Sequence, residues 1–573
     1  MKIRPTKDFL LLCAAFLLTA ALLTVIGPPI TWAPLAWIAL VPFILASSPK
    51  AKPRSLALAA YLLSLAYWLV NLYWIAPITA IGWFAVCAYF ALLWPILALT
   101  IRYCRAKKIP LLIAVPILIV GAERLQGVFL GGFFWRLLAH SQFQNIPLIQ
   151  IADIFGAAGV SFLIAMTNAL IAEFALTALK SKKPTAAHLA KAAVVAAALI
   201  ATITYGKWRI AQSERFIKPG PVVGSVQSNI PQSVKISGEA SDVILDKLIN
   251  HSLQAAAAGA QLILWPETMV QATLNERVWP YIYRGVESRA YHEKIAQHAK
   301  NNAFILVGAY GGQMIFQENG TLRTAKYNSA FLYKPDGTQD TKWYSKIHLV
   351  MFGEVVPFYQ TFPAMYRFLM NFVPKAYKYN YSLDAGTQYT VFEMTNDPNR
   401  PAQPYRFGVM ICYEDTIPRI ARKFANPENG KKSVDFLVNI SNDGWFVRFT
   451  NGKTIPTTEL AQHTAICTFR AVENRLAVVR SVNTGISCII DSLGRITDGY
   501  TAGDLPQKAL RRTGMAGWFV DRLPIDKRIT LFSKYGQWLD FCCAACLIAF
   551  MILPMIPIRL KPKPRYGKLR GKN

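Results

Sequence analysis

Charge is scarce in this sequence. Asp, Glu, Lys and Arg make up 16% of its 573 residues, where a soluble domain carries about 25%, while 53% of the residues are hydrophobic. Such a chain is not one soluble globule, and it exceeds the roughly 100 to 200 residues of an ordinary domain. Acid is scarcer than base, with 32 Asp and Glu against 62 Lys and Arg; whether that surplus meets nucleic acid or a membrane depends on where it lies. Cysteine is too sparse for a disulfide framework. Only Cys412, Cys467 and Cys488 fall in the long polar region, so at least one thiol there is unpaired, and the other six lie in apolar stretches. Several catalytic signatures are missing as well. There is no GxSxG elbow of a serine hydrolase. NGKT (451 to 454) imitates the end of a phosphate loop, but Val447 stands where that loop needs glycine. The histidines of HEKIAQH (292 to 298) are six apart and do not share a helix face as zinc ligands would. CAAC (543 to 546) has redox spacing inside an apolar run, where small packing residues are the expected reading.

What is present is hydrocarbon-length sequence. Apolar stretches near 9 to 26, 32 to 47, 55 to 76, 80 to 101, 110 to 128, 157 to 179, 188 to 206 and 538 to 557 predict eight spans, each near the ~20 residues a bilayer needs. The basic residues cluster in alternate connections. Lys2, Arg4 and Lys7 precede the first span; Lys50, Lys52 and Arg54 follow the second; Arg102, Arg105, Lys107 and Lys108 follow the fourth; Lys180, Lys182, Lys183 and Lys191 follow the sixth; and a basic tail runs from Arg559 to Lys572. GPPI (27 to 30) and APIT (76 to 79) carry none. The positive-inside rule then puts both termini in the cytoplasm and the polar region outside, and membrane, not nucleic acid, is the expected partner. No small-residue cleavage site follows the first apolar run, so a span is expected there and not a removed signal peptide. The division expected is 1–212 as a seven-span membrane domain, 213–530 as a periplasmic catalytic domain and 531–573 as a last span with a cytoplasmic tail.

The polar region alternates short β-like runs (222 to 229, 260 to 267, 304 to 310, 329 to 337, 405 to 414, 435 to 443, 476 to 483, 487 to 496) with helical ones (239 to 257, 286 to 301, 415 to 426, 459 to 474), an α/β pattern. The aromatic-rich segment 358 to 373 departs from it and reads either as core or as an arm at the bilayer surface.

Three segments each place one ionisable residue where an apolar strand ends: Glu267 in LILWPET, Lys346 in YSKIHLVMFGE and Cys412 in GVMICYE. Singly, each has a plain structural reading, as a helix cap, a solvated loop charge and a packed thiol. Together they are the parts of acyl transfer through a thioester. A cysteine thiol titrates near ~8.5 and needs a base to attack, a role for Glu267, and the oxyanion that forms needs a positive donor, a role for Lys346.

These motifs in this order, with SNDGWF (441 to 446) and QH…RAVENR (462 to 475), resemble the nitrilase or carbon-nitrogen hydrolase superfamily, and their union with spans on both sides resembles its apolipoprotein N-acyltransferase branch. The resemblance also covers VQSNIPQSVK (226 to 235) and the stretch 133 to 163. It implies an α/β fold, a polytopic α-helical membrane domain of eight spans with a nitrilase-like αββα sandwich. It implies a Glu267, Lys346 and Cys412 triad, with Glu354, Tyr413 and Glu414 around it and no metal or cofactor. A phospholipid is the implied acyl donor, a diacylglyceryl apolipoprotein the acceptor, and a bacterial inner membrane the location. Met351 replaces a usual proline, Ile236 a usual tryptophan at the substrate entrance, and 447 to 458 is an insertion. A membrane-tethered amidase using the same triad, and a non-enzymatic scaffold, are the alternatives.

Overall fold

The computed structural model describes residues 6–235, 241–316, 320–358, 361–371, 381–395, 404–428 and 430–552. Ile236 and the basic tail lie outside the described residues, as do parts of 358 to 373.

Six helices among the described residues are long and apolar enough to cross a membrane: Lys7–Val25, Pro53–Asn71, Ala80–Ala106, Leu111–Val128, Ala157–Ala178 and Ala186–Phe216. The expected eight spans are thus not all matched by helices of spanning length among the described residues. The stretch 32 to 47 divides into a 3-10 turn, Ala33–Trp37, and a short helix, Val41–Ala46, each with a proline in its first turn. Pro34 and Pro42 lack the amide hydrogen that would continue a helix through them. At about 1.5 Å per residue, Ala33–Ala46 falls short of a ~30 Å hydrocarbon core. The last apolar helix is described as Trp538–Ile552, up to the end of the described residues.

Between Ala186–Phe216 and Trp538–Ile552 lies a four-layer sandwich. One sheet contains the parallel strands Ile217–Gln227, Leu262–Leu264 and Phe304–Phe316, with Leu322–Tyr333, Gln339–Ser345 and Gly517–Asp526 antiparallel around them. The other runs from Cys488–Ile490 through Ala477–Val482, Phe436–Ser441 and Tyr405–Ile411 to Val391–Met394. Strand alternation separates the layers, because successive side chains point to opposite faces. Leu262, Leu264, Phe304 and Leu306 pack with Phe407, Val409 and Val438 of the second sheet, while Ile263, Trp265, Ile305 and Val307 pack under the helices Ser241–Ala257 and Gly285–Ala299.

The helix Thr458–Asn474 is the joint between sandwich and membrane helices. Its Cys467 and Ala471 join the inter-sheet core, whereas Ala465, Ile466, Phe469 and Val472 join the core of the membrane helices. Buried ion pairs and hydrogen bonds reinforce the joint. Arg475 donates to Asp153 Oδ2 at 2.7 Å and to Gln150 Oε1 at 2.5 Å, both in the chain before Ala157–Ala178.

Candidate active site

Each expected site residue lies just past a strand. Glu267 follows Leu262–Leu264, Lys346 follows Gln339–Ser345 and Cys412 follows Tyr405–Ile411, so the first two rise from one sheet and the thiol from the sheet facing it. The backbone turns sharply at the thiol. Cys412 has φ +53° and opens a 3-10 turn, Cys412–Thr416, a conformation that side chains other than glycine and asparagine rarely adopt. Such strain is tolerated where the surroundings fix it, and Asn439 Nδ2 holds the Cys412 carbonyl at 3.1 Å.

Lys346 is 1% exposed and sits between two carboxylates, with Nζ 3.3 Å from Glu267 Oε1 and 2.8 Å from Glu354 Oε2. Burial would push its ammonium down, but Glu267 and Glu354 hold it well above the usual lysine range. Asn328 bridges the two acids, donating 2.6 Å to Glu267 Oε1 and 2.8 Å to Glu354 Oε1. The Asn442 amide donates to Glu267 Oε2 at 2.8 Å. Burial, then the Glu267 charge, pushes the Cys412 thiol upward, with Lys346 and His463 opposing. The Cys412 thiol is thus held protonated beside a carboxylate and an ammonium.

Glu414 supports the site without facing it. Its carboxylate accepts from Ile347 N at 2.7 Å, His348 N at 3.0 Å, Tyr344 Oη at 2.8 Å and Ile411 N at 2.7 Å, tying the lysine loop to the nucleophile's strand. Burial pushes this carboxyl up to about 7. Tyr413 points to the membrane helices: it donates to the Gly132 carbonyl at 2.7 Å and stacks near Phe133 and Trp135. The site therefore lies at the junction with the membrane helices.

Residue and family model now agree in both halves. Residues 19–170 match the model of the apolipoprotein N-acyltransferase N-terminal domain, and residues 223–505 match that of carbon-nitrogen hydrolase. A Geobacter metallireducens protein named apolipoprotein N-acyltransferase is 30% identical over 555 residues, covering 94% of each chain. This chain belongs to the apolipoprotein N-acyltransferase family. A Chlorobaculum tepidum protein of the same name is 26% identical over 535 residues, covering 90% of this chain and 91% of that one. A solved amidase from Nesterenkonia sp. superposes with a TM-score of 0.33 at 15% identity, covering 54% of this chain and 92% of that one.

For an apolipoprotein N-acyltransferase family member, the residues that sequence reasoning missed are as informative as those it found. Asn328 and the Asn442 amide carry no local signal. His463, visible in the sequence only as part of a motif, donates from Nε2 to Asp415 Oδ1 at 2.7 Å and has Nδ1 3.3 Å from Glu459 and 3.5 Å from Asp443. Arg480 closes this buried network on Asp415 at 2.5 Å. Burial would lower the His463 pKa, but Asp415 and Asp443 hold the ring well above the usual histidine range. Asp443, Glu459 and His463 bring ligand atoms within 4.8 Å of one another, close enough for a cation among the described residues. An imidazolium and the Arg480 guanidinium already supply positive charge there.

Proposed function

We propose that this acyltransferase moves an acyl chain from a membrane phospholipid to Cys412 as a thioester, then to the N-terminal amine of a diacylglyceryl-cysteine apolipoprotein, completing lipoprotein maturation. The observation that carries this reading is the convergence of Glu267, Lys346 and Cys412 beside the membrane helices.

Glu267 takes the thiol proton as the sulfur attacks the ester carbonyl of the donor. Lys346 stabilises the oxyanion, whose charge exists only near the transition state. The proton then passes to the leaving lysophospholipid oxygen, and the C–O bond breaks. In the second half the acceptor amine attacks the thioester, Glu267 receives its proton, the C–S bond breaks as the amide forms, and Glu267 returns the proton to the departing sulfur, restoring the thiol. Ester, thioester and amide follow one another without a redox step, so neither cofactor nor metal is called for. Glu354 shares the lysine charge, Glu414 fixes the loop geometry, and Tyr413 sets the nucleophile's turn against the membrane helices.

The same reading divides the chain into a membrane part (1–212), a periplasmic catalytic part (213–530) and a closing segment (531–573), with both termini cytoplasmic in a bacterial inner membrane. Contacts at the ends of 33 to 46 support a passage between faces despite its short helix. Gln142 donates to the Ala33 carbonyl at 2.9 Å near the sandwich, whereas Arg105, in a basic connection, donates to the Ile44 carbonyl at 2.7 Å.

The test is the mass of Cys412 after incubation with phospholipid alone. One fatty acyl group gained, with one lysophospholipid released, is expected. Acyl transfer to a lipoprotein peptide at the parental rate by Cys412→Ser would overturn the thioester route.

A further inference from the structure

The insertion at 447 to 458 folds as a β-hairpin, Arg448–Thr450 paired with Lys453–Ile455. Asn451 and Gly452 turn it with φ +52° and +72°, the left-handed pair that a two-residue hairpin loop needs. NGKT is a turn here. Thr457 Oγ1 donates to the Phe446 carbonyl at 2.5 Å and closes the base.

Register decides what each face carries. Arg448 is opposite Ile455 and Thr450 opposite Lys453, and alternate residues share a face, so both cations stand with Ile455 on one side. That side addresses the membrane helices. The Arg448 guanidinium lies 5.0 Å from the ring centre of Tyr73, two residues beyond the span Pro53–Asn71. Beneath the hairpin, Phe446 meets Trp74 edge to face at 4.9 Å. Tyrosine and tryptophan just past a span mark the headgroup level, so Arg448 stands at that level. Arg448, Lys453 and Ile455 are all exposed, Ile455 at 49%. Neither cation is in an ion pair among the described residues. An exposed arginine over a tyrosine face and an unpaired lysine beside an exposed isoleucine match the chemistry of an anionic lipid surface, phosphate above and hydrocarbon below.

We infer that the hairpin Arg448–Ile455 is a foot on the membrane surface at the sandwich side, with Arg448 and Lys453 on lipid phosphates and Ile455 at the acyl boundary. Its strand leads directly from SNDGWF, whose Asn442 holds Glu267, so the foot fixes the height of the site above the bilayer. The inference rests on the membrane helices and not on the roles assigned to the triad.

The test places p-benzoylphenylalanine at Ile455, and separately at the exposed Tyr283 as a control, in full-length protein in bilayer discs. The discs contain phosphatidylethanolamine with headgroup-labelled phosphatidylglycerol, so an acyl group carried on Cys412 adds no label. Irradiation should attach lipid at 455 well above 283. Arg448→Gln and Lys453→Gln should each lower that yield about fivefold, the effect of one basic side chain at an anionic surface. Equal labelling at both positions would overturn the inference. So would adducts at 455 that form only with an added lipoprotein peptide, which would make the hairpin an acceptor surface.

Discussion

Lys346 shows how much one side chain holds at this site. It neutralises Glu267 and Glu354 in a place closed to water, so Lys346→Met leaves two carboxylates facing each other. Breaking a buried pair from one side costs about 3–5 kcal/mol, and losing one oxyanion donor costs about 10²–10³ in rate. Lower thermal stability together with a turnover loss of that size is expected; a fully active Lys346→Met would remove the lysine from the chemistry. His463 acts at longer range. Its pKa is held up by Asp415 and Asp443, so the stability it contributes is complete below about 6.5, its unfolded value, and is lost as pH rises through the folded value. Its positive charge also opposes the upward push on the Cys412 thiol. In His463→Gln, iodoacetamide alkylation of Cys412 should therefore require higher pH than in the parent. An unchanged pH profile would confine His463 to packing.

At the scale of elements, Thr458–Asn474 carries load on both faces. Phe469 is fully buried, packs in the core of the membrane helices and lies 5.6 Å from the His140 ring. Phe469→Ala should cost about 3–5 kcal/mol, read as a lower unfolding temperature in detergent. The short helix Pro363–Met370 carries the opposite signal, with Phe362 52% and Phe368 56% exposed. A lipid-facing arm predicts that Phe368→Asp slows phospholipid turnover more than alkylation of Cys412 by a water-soluble reagent; equal loss of both would indicate damage to the fold. These elements also mark how far the sequence could be read. Apolar runs ending in one ionisable residue made the strands before Glu267 and Cys412 legible, because a strand buried on both faces admits charge only near its ends; the strand before Lys346, Gln339–Ser345, carries exposed Thr341 and Lys342 and was not among the expected runs. The helix at 459 to 474 was legible by its periodicity. Asn328 and the Asn442 backbone amide were not, since Glu267 is 61 and 175 residues away from them in the chain: the first contact arises only when the strands of one sheet come together, the second only when the two sheets face each other. The hairpin hid because its Asn-Gly turn lies inside a string that imitates a phosphate loop. The break at Pro34 and Pro42 was not legible from hydropathy, which continues there while helical hydrogen bonding does not.

For the whole molecule, orientation and reaction order belong together. With basic connections inside, engineered cysteines at 27 to 30 should react with an impermeant reagent in intact cells whose outer membrane has been removed, and those at 51 to 53 only after lysis. Labelling of 51 to 53 from outside would reverse the orientation and the side on which the sandwich works. In the proposed thioester route both substrates are lipids and both must reach one sulfur at the junction where Tyr413 meets Gly132 and Phe133. A chain taken from the bilayer into water would lose about 0.8 kcal/mol for each CH₂, so donor and acceptor should approach from the lipid side in turn. Cys412 cannot hold the acyl group and meet the donor ester together; the lysophospholipid must leave before the amine attacks. Ping-pong kinetics follow, with parallel double-reciprocal lines when phospholipid is varied at several peptide concentrations and an acyl-enzyme that forms without peptide. Intersecting lines would mean that both lipids occupy the site together, and direct transfer between them would then replace the covalent route through Cys412.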